Sequence, residues 1–194
     1  MTEIQKAMGL EFLKYKVGNL EESLEYKQSV LVDGSALLFG LDVVKRWVHD
    51  KTHLIVIPVY AIDTLDFYKN VSDAETQHLS RCASAFIEKE LKKGGVRLQQ
   101  GVKLVDNHAA NVANALRPLS AEFKLVVARC SQDSEGRLNI DETTHHAEQA
   151  GYSVDLLLPA EIEDAKLWHK QRQLRYLKRK NGKKRGQDRE THRE

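Results

Sequence analysis

With 194 residues, 41% of them hydrophobic and 30% charged, the chain has the composition of a soluble globular protein, and its length suits one domain of about 130 to 160 residues with extensions. No apolar run approaches the ~20 residues that span a bilayer, and the charge-interrupted start MTEIQKAMGLEFLKYK lacks the apolar stretch of a secretory signal, so residence inside the cell is expected. The formal charge of +2 hides a division: residues 166–194 hold 12 Lys+Arg against 3 Asp+Glu and residues 1–165 hold 18 against 25, an acidic domain followed by a basic tail.

Residues 1–28 read as an N-terminal helical extension, with Ile4, Met8, Phe12 and Leu13 near helical spacing before the break at Gly18-Asn19. Residues 29–32 form a short apolar run of the kind that makes a strand buried on both faces. Asp33-Gly34-Ser35 then opens a helix whose apolar positions Leu37, Leu38, Leu41, Val44 and Val48 recur at steps of three and four. Residues 54–57 repeat the strand pattern, Pro58 closes it, and a short helix over 59–67 follows. Ser72 and Glu75 have the spacing of a capping box ahead of the long helix that Gly94-Gly95 ends.

A third strand is expected at 102–105, ending at Asp106, then a helix over 109–116 that stops before Pro118. Residues 125–128 give a fourth strand, 140–150 a helix closed by Gly151, and 154–158 a fifth strand before Pro159. This alternation is that of a three-layer α/β domain with a central five-stranded parallel sheet and helices on both faces. Beyond it, AEIEDAKLWHKQRQLRYLKRK reads as a helix with Ile162, Ala165, Trp168, Leu174 and Leu177 close to one stripe. From Asn181 the composition offers nothing apolar to bury, so disorder is expected there. The organisation is thus an extension over 1–28, a domain over 29–160 and a basic arm over 161–194.

Sites in parallel sheets form at the carboxyl ends of the strands, where this chain places Asp33, Asp63, Asp66, Asp106, Ser131 and Asp133. Convergent carboxylates there suit Mg²⁺ or Mn²⁺, hard cations that prefer oxygen ligands and can neutralise a phosphodiester under in-line attack. Asp33 equally suits a helix N-cap. The glycine-rich signatures of nucleotide binding are absent after the first strand, and neither His145-His146 nor the distant Cys82 and Cys130 have zinc spacing.

At this point the sequence resembles the PIN-domain family, the α/β fold of many metal-dependent ribonucleases, over residues 29–160. VLVDGSALLFGLDVVKRW is similar to the family's opening strand, aspartate and helix; LIVIPVYAIDTLDFY to its second strand and following acidic stretch; KLVVARCSQD to the strand before its third acid; AEQAGYSVDLLLP to its closing helix and strand. Within the family the likeness is greatest to the small fungal PIN-domain factors of nonsense-mediated mRNA decay, through DGSAL, KRW, IPVYAIDTLDFY and the basic arm.

The resemblance implies Asp33 at the first acidic position. It sets Thr64 where a glutamate belongs, with Asp66 as the nearby candidate, and it sets Ser131 near the third position, with Asp133 delayed. Asp33, Asp66 and Asp133 are therefore remnant candidates for a metal site that reads as degenerate, with no catalytic residue assigned and no cofactor expected unless the site is intact. The implied role is a cytoplasmic binding cofactor of mRNA decay that contacts the machinery's RNA helicase. The arm residues Trp168, Lys170, Arg172, Arg175, Tyr176, Lys178 and Arg179 would reach that partner or RNA. A nuclear address is open to the same basic runs. Two alternatives stay open: an active Mg²⁺- or Mn²⁺-dependent endoribonuclease, and an RNA-processing or ribosome-biogenesis factor of the same fold.

Overall fold

The computed structural model describes residues 28–71, 73–116, 123–128 and 138–190; the expected extension, save Gln28, lies outside them. Five strands make one sheet in the order β3-β2-β1-β4-β5, namely β1 (Gln28–Val32), β2 (His53–Ile57), β3 (Arg97–Leu98), β4 (Lys124–Ala128) and β5 (Ser153–Leu157). Every pairing is parallel, with Leu31 opposite Val56 on one side of β1 and Leu125 on the other. Central strands covered on both faces need continuous apolar runs, and Leu31, Val32, Ile55, Ile57 and Leu125 are accordingly buried.

Seven helices accompany the sheet among the described residues: α1 (Gly34–Phe39), α2 (Leu41–Asp50), α3 (Val59–Val71), α4 (Ala74–Lys93), α5 (His108–Leu116), α6 (Ile140–Gln149) and α7 (Pro159–Glu190). Helices α1 to α4 connect the strands running outward from β1 to β3 and pack on one another, while α5 packs on α6 and α6 on β4 and β5. Right-handed parallel crossovers put such groups on opposite faces of a sheet that grows in both directions from its first strand. The architecture is the three-layer α/β domain expected.

Where the sequence suggests one helix after Asp33, the structure has two, broken at Gly40. A Cβ there would stand 2.5 Å from Leu157 Cδ1 and 3.0 Å from the Ala36 carbonyl oxygen, so any larger residue would have to displace the Leu157 side chain packed against the turn. The third strand is also displaced. Gly94, at φ +75°, ends α4, the Gly95 amide bonds the Glu90 carbonyl at 2.8 Å, and the chain enters β3 almost at once. Gly101, at φ +81°, then turns it away, and residues 102–105 carry no strand; instead the Asn111 carboxamide holds the Val105 amide at 2.7 Å and its carbonyl at 2.8 Å. The apolarity of VKLV mimicked a strand, whereas the true edge strand is two residues long and has no pattern to read.

Two helix starts differ in detail. Asp73 caps α4, its carboxylate accepting from the amides of Glu75 and Thr76 at 2.9 and 3.1 Å, in the role expected of Ser72, which lies outside the described residues. Pro159, expected only as a strand stop, is the first residue of α7, where its missing N–H costs nothing. The sequence reading leaves the arm without structure from Asn181; the backbone of α7 is drawn as one helix to Glu190, with side chains described to Lys178. Ala165 anchors its first turns at 1% exposure, packed with Ile162 against the core, and α7 lies along α2, but Leu174 and Leu177, expected on the same stripe, are exposed.

Candidate functional site

Strand order reverses at β1, whose neighbours β2 and β4 lead in opposite directions, and a crevice for ligands forms at the carboxyl end of such a switch point. Asp33 stands there. Its amide bonds the Val126 carbonyl at 3.0 Å, so it leaves the sheet attached to β4. Its carboxylate caps α1: Oδ2 accepts from the Ser35 amide at 2.8 Å and from the Ser35 hydroxyl at 2.5 Å. Ser35 Oγ in turn accepts from the Ala128 amide at 3.1 Å, so Asp33 and Ser35 together pin the end of β4 to the end of β1.

The second candidate half comes from α3, and helical geometry decides which side chains reach the crevice. Thr64 is buried at 1% exposure, its methyl against Gly34 and its hydroxyl donating to the Tyr60 carbonyl at 2.9 Å. Two residues on, a helix has turned about 200°: Asp66 is solvent-exposed and paired with Lys69 at 2.6 Å, and is not brought to Asp33. Asp63 is half-buried at the edge of the crevice, its Oδ2 3.7 Å from His108 Nδ1 at the start of α5. Asp106 is exposed on the preceding loop, and Arg129, Cys130, Ser131 and Asp133 lie outside the described residues.

Tyr60 and His108 join these groups, and sequence reading missed both. Their rings meet edge-on with centroids 6.2 Å apart. The Tyr60 hydroxyl is fully enclosed, and burial first, then the charge of Asp33, hold the phenol well above its usual range. Among the described residues that hydroxyl has no hydrogen-bond partner, so enclosure and the facing charge dominate. At neutral pH Tyr60 is a neutral phenol beside a carboxylate and offers no anionic oxygen to a cation. A tyrosine two residues after Ile57-Pro58 was the available signal for it; His108, 45 residues from Asp63, becomes a neighbour only through the fold.

The described residues do not fit a divalent cation at this edge. Mg²⁺ asks for near-octahedral oxygen ligation with one or two carboxylates held open to it. Here Oδ2 of Asp33 is engaged as a cap, the Asp63 carboxylate faces His108, the position beside Asp33 is a threonine turned to its own backbone, and no group of three His, Cys, Asp or Glu among the described residues could hold a metal ion.

The arm residues lie elsewhere. Trp168 is half-buried, its ring meeting His49 of α2 edge-on at 5.2 Å and carrying the Arg172 guanidinium 5.4 Å over its face. Tyr176 is 67% exposed, and Lys170, Arg175 and Lys178 face solvent; the Arg179 side chain lies outside the described set. No helix among the described residues is long and apolar enough to cross a membrane.

Fold and site together define a doubly wound α/β domain with Asp33 at its switch point. The family model described as the PIN domain matches residues 30–150, and the chain belongs to the PIN-domain family. Among solved structures it is similar to the PIN domain of human SMG5, at 18% identity and a TM-score of 0.45, over 72% of this chain and 99% of that one. No curated protein sequence matches it.

Proposed function

We propose that this PIN domain is a pseudo-nuclease that acts as a binding cofactor in mRNA decay, specifically nonsense-mediated decay, and that its basic arm docks on an RNA helicase of that machinery. The observation that carries the loss of catalysis is Thr64, buried against Gly34 with its hydroxyl spent on its own helix where the family's second carboxylate belongs. Without that acid, Asp33 is better explained as the cap that joins β1 to β4 than as half of a metal cradle. No resident metal is therefore part of this reading.

The decay assignment is supported by the DGSAL, KRW and IPVYAIDTLDFY resemblance, and the arm's role by a basic helix anchored at Ala165 that projects Arg175, Tyr176 and Lys178 into solvent. Aromatic and arginine side chains are the usual anchors of protein interfaces. The cytoplasm, where mRNA decay operates, is the expected compartment. The test is capture of the purified decay helicase by the full chain and by Arg175→Glu/Lys178→Glu. Capture by the first and loss of about tenfold or more in affinity with the second is expected; no capture by the wild-type chain would refute the reading.

A further inference from the structure

Helices α2 and α4 run back from the carboxyl edge of the sheet, so their last turns lie near its amino edge, away from Asp33: α2 ends at Asp50, three residues before β2 begins. Between those last turns and α7 lies a cavity of about 430 Å³, and two more of about 400 and 460 Å³ continue beside it along α7, the former touching the domain at His49; all three share Arg172. The walls of this groove carry Lys45, Lys89 and Lys93 from the domain with Arg172 and Arg175 from the arm, against the single carboxylate of Glu90. Part of that charge is already answered, since Lys45 pairs with Asp42 at 2.9 Å, Lys93 with Glu90 at 3.1 Å, and both helices end here with partial negative charge. Lys89, Arg172 and Arg175 have no carboxylate partner among the described residues.

Along the same groove, Tyr176 lines two of the cavities with most of its ring exposed, while Trp168, capped by Arg172, forms the floor between the domain and the arm. Unpaired cations beside an open aromatic face are the arrangement that holds single-stranded nucleic acid, with phosphates met by charge and a base by stacking. An acidic protein would use the cations but not the free ring as a stacking platform.

We infer that the groove between α2, α4 and α7 is a binding site for single-stranded RNA. The site is composite: the arm supplies Arg172 and Tyr176, the domain supplies Lys89, and neither half is sufficient. This extends the proposed function and takes nothing from the helicase contact; it is tested with no helicase present, so the two can fail separately.

The experiment measures anisotropy of a labelled oligouridylate, longer than the ~4–16 nucleotides of one single-strand site, on the full chain between about 50 and 200 mM salt. Lys89→Glu/Arg172→Glu and the milder Lys89→Gln/Arg172→Gln are compared with wild type, with thermal unfolding confirming that each is folded. The expected result is binding that weakens with salt, a Kd raised about tenfold or more by the reversal, and a salt slope reduced by about 1.4 in the glutamine pair, at ~0.7 per phosphate contact. Tyr176→Ala should weaken binding about fivefold or more with the slope unchanged. If the wild-type chain does not bind the RNA, or Lys89 substitution leaves Kd within about twofold while Arg175→Glu/Lys178→Glu abolishes binding, the composite site is overturned in favour of none or of the arm alone. RNA affinity left within about twofold by Lys89→Glu/Arg172→Glu would assign the groove's cations to another ligand and overturn the inference equally.

Discussion

Thr64 and Gly34 are packed so closely that a Cβ on Gly34 would stand 2.9 Å from Thr64 Cγ2 and 3.0 Å from Thr64 Cβ. The contact joins α3 to the first residue of α1, next to Asp33, and makes position 64 part of the packing of the crevice.

Gly34→Ala should therefore destabilise despite alanine's better helix propensity. That preference favours the variant by about 1 kcal/mol, whereas forcing a methyl into a closed contact costs about 1–3 kcal/mol. Thr64→Ala removes the nearer methyl, so Gly34→Ala should cost about 1 kcal/mol less in that background, read as the coupling in a double-mutant cycle by urea denaturation. Additive effects would show that the two residues are not in the contact described.

The carboxylate of Asp33 serves the fold, and its removal should be felt without metal. Asp33→Ala leaves the Ser35 amide and hydroxyl unpartnered in a buried place, at a cost of about 1–3 kcal/mol; Asp33→Asn keeps one acceptor and should cost less. Millimolar Mn²⁺ should move the thermal midpoint of the wild-type chain by less than about 1 °C. A cation present at a hundred times its Kd adds about 2.7 kcal/mol, which in a chain of this size is roughly 5–10 °C, so a shift of that order would restore the nuclease alternative, as would RNA cleavage above the Asp33→Asn level.

How much of this was legible in the sequence follows from the kind of signal each feature leaves. Strands β1, β2 and β4 announced themselves because strands covered on both faces must be continuously apolar, and the edge strand β5 through Val154, Leu156 and Leu157 ahead of Pro159. β3 did not, because Arg97–Leu98 has two residues and an edge position, while 102–105 looked like a strand and is held by one asparagine. That Thr64 and Asp66 point apart was legible by position, since one residue on a helix cannot borrow the direction of another two places away. Juxtapositions of distant residues left no local mark: the Asp63–His108 contact, and Lys89 and Arg172 lining one cavity, exist only once the helices are docked.

His53, at the start of β2, gives a pH dependence whose sign can be worked out. Its ring stacks on Trp47 with centroids 4.4 Å apart. Desolvation lowers its pKa below the ordinary value, Asp155 opposes this and Lys124 adds to it. The fold thus favours the neutral ring. Below about pH 6.5 the unfolded chain binds the extra proton, so this contribution to stability is complete above that pH and is lost as pH falls through the folded-state value. In an NMR titration His53 should titrate below 6.5, lower still in Asp155→Asn and higher in Lys124→Gln; a midpoint above 6.5 would contradict the burial described.

The docking of α7 sets two kinds of interaction against each other at adjacent positions. Asp164 reaches Arg46 at 2.6 Å, but its side chain is 70% exposed and that of Arg46 39% exposed, so water competes for both. Exposed pairs contribute about 0–1 kcal/mol, and Asp164→Ala should leave the arm in place. Ala165 makes no polar contact of note and is 1% exposed against the core, and Ala165→Asp would bury a charge without a partner, which costs several kcal/mol. The arm can escape that cost by lifting off α2. The expected result is rapid tryptic cleavage after Lys166 and Lys170, with a red-shifted Trp168 emission, in Ala165→Asp but not in Asp164→Ala. Because α7 forms one wall of the basic groove, the same variant should lose composite RNA binding while the domain stays folded. Equal protection in the two variants would mean that α7 is held by something other than this apolar contact.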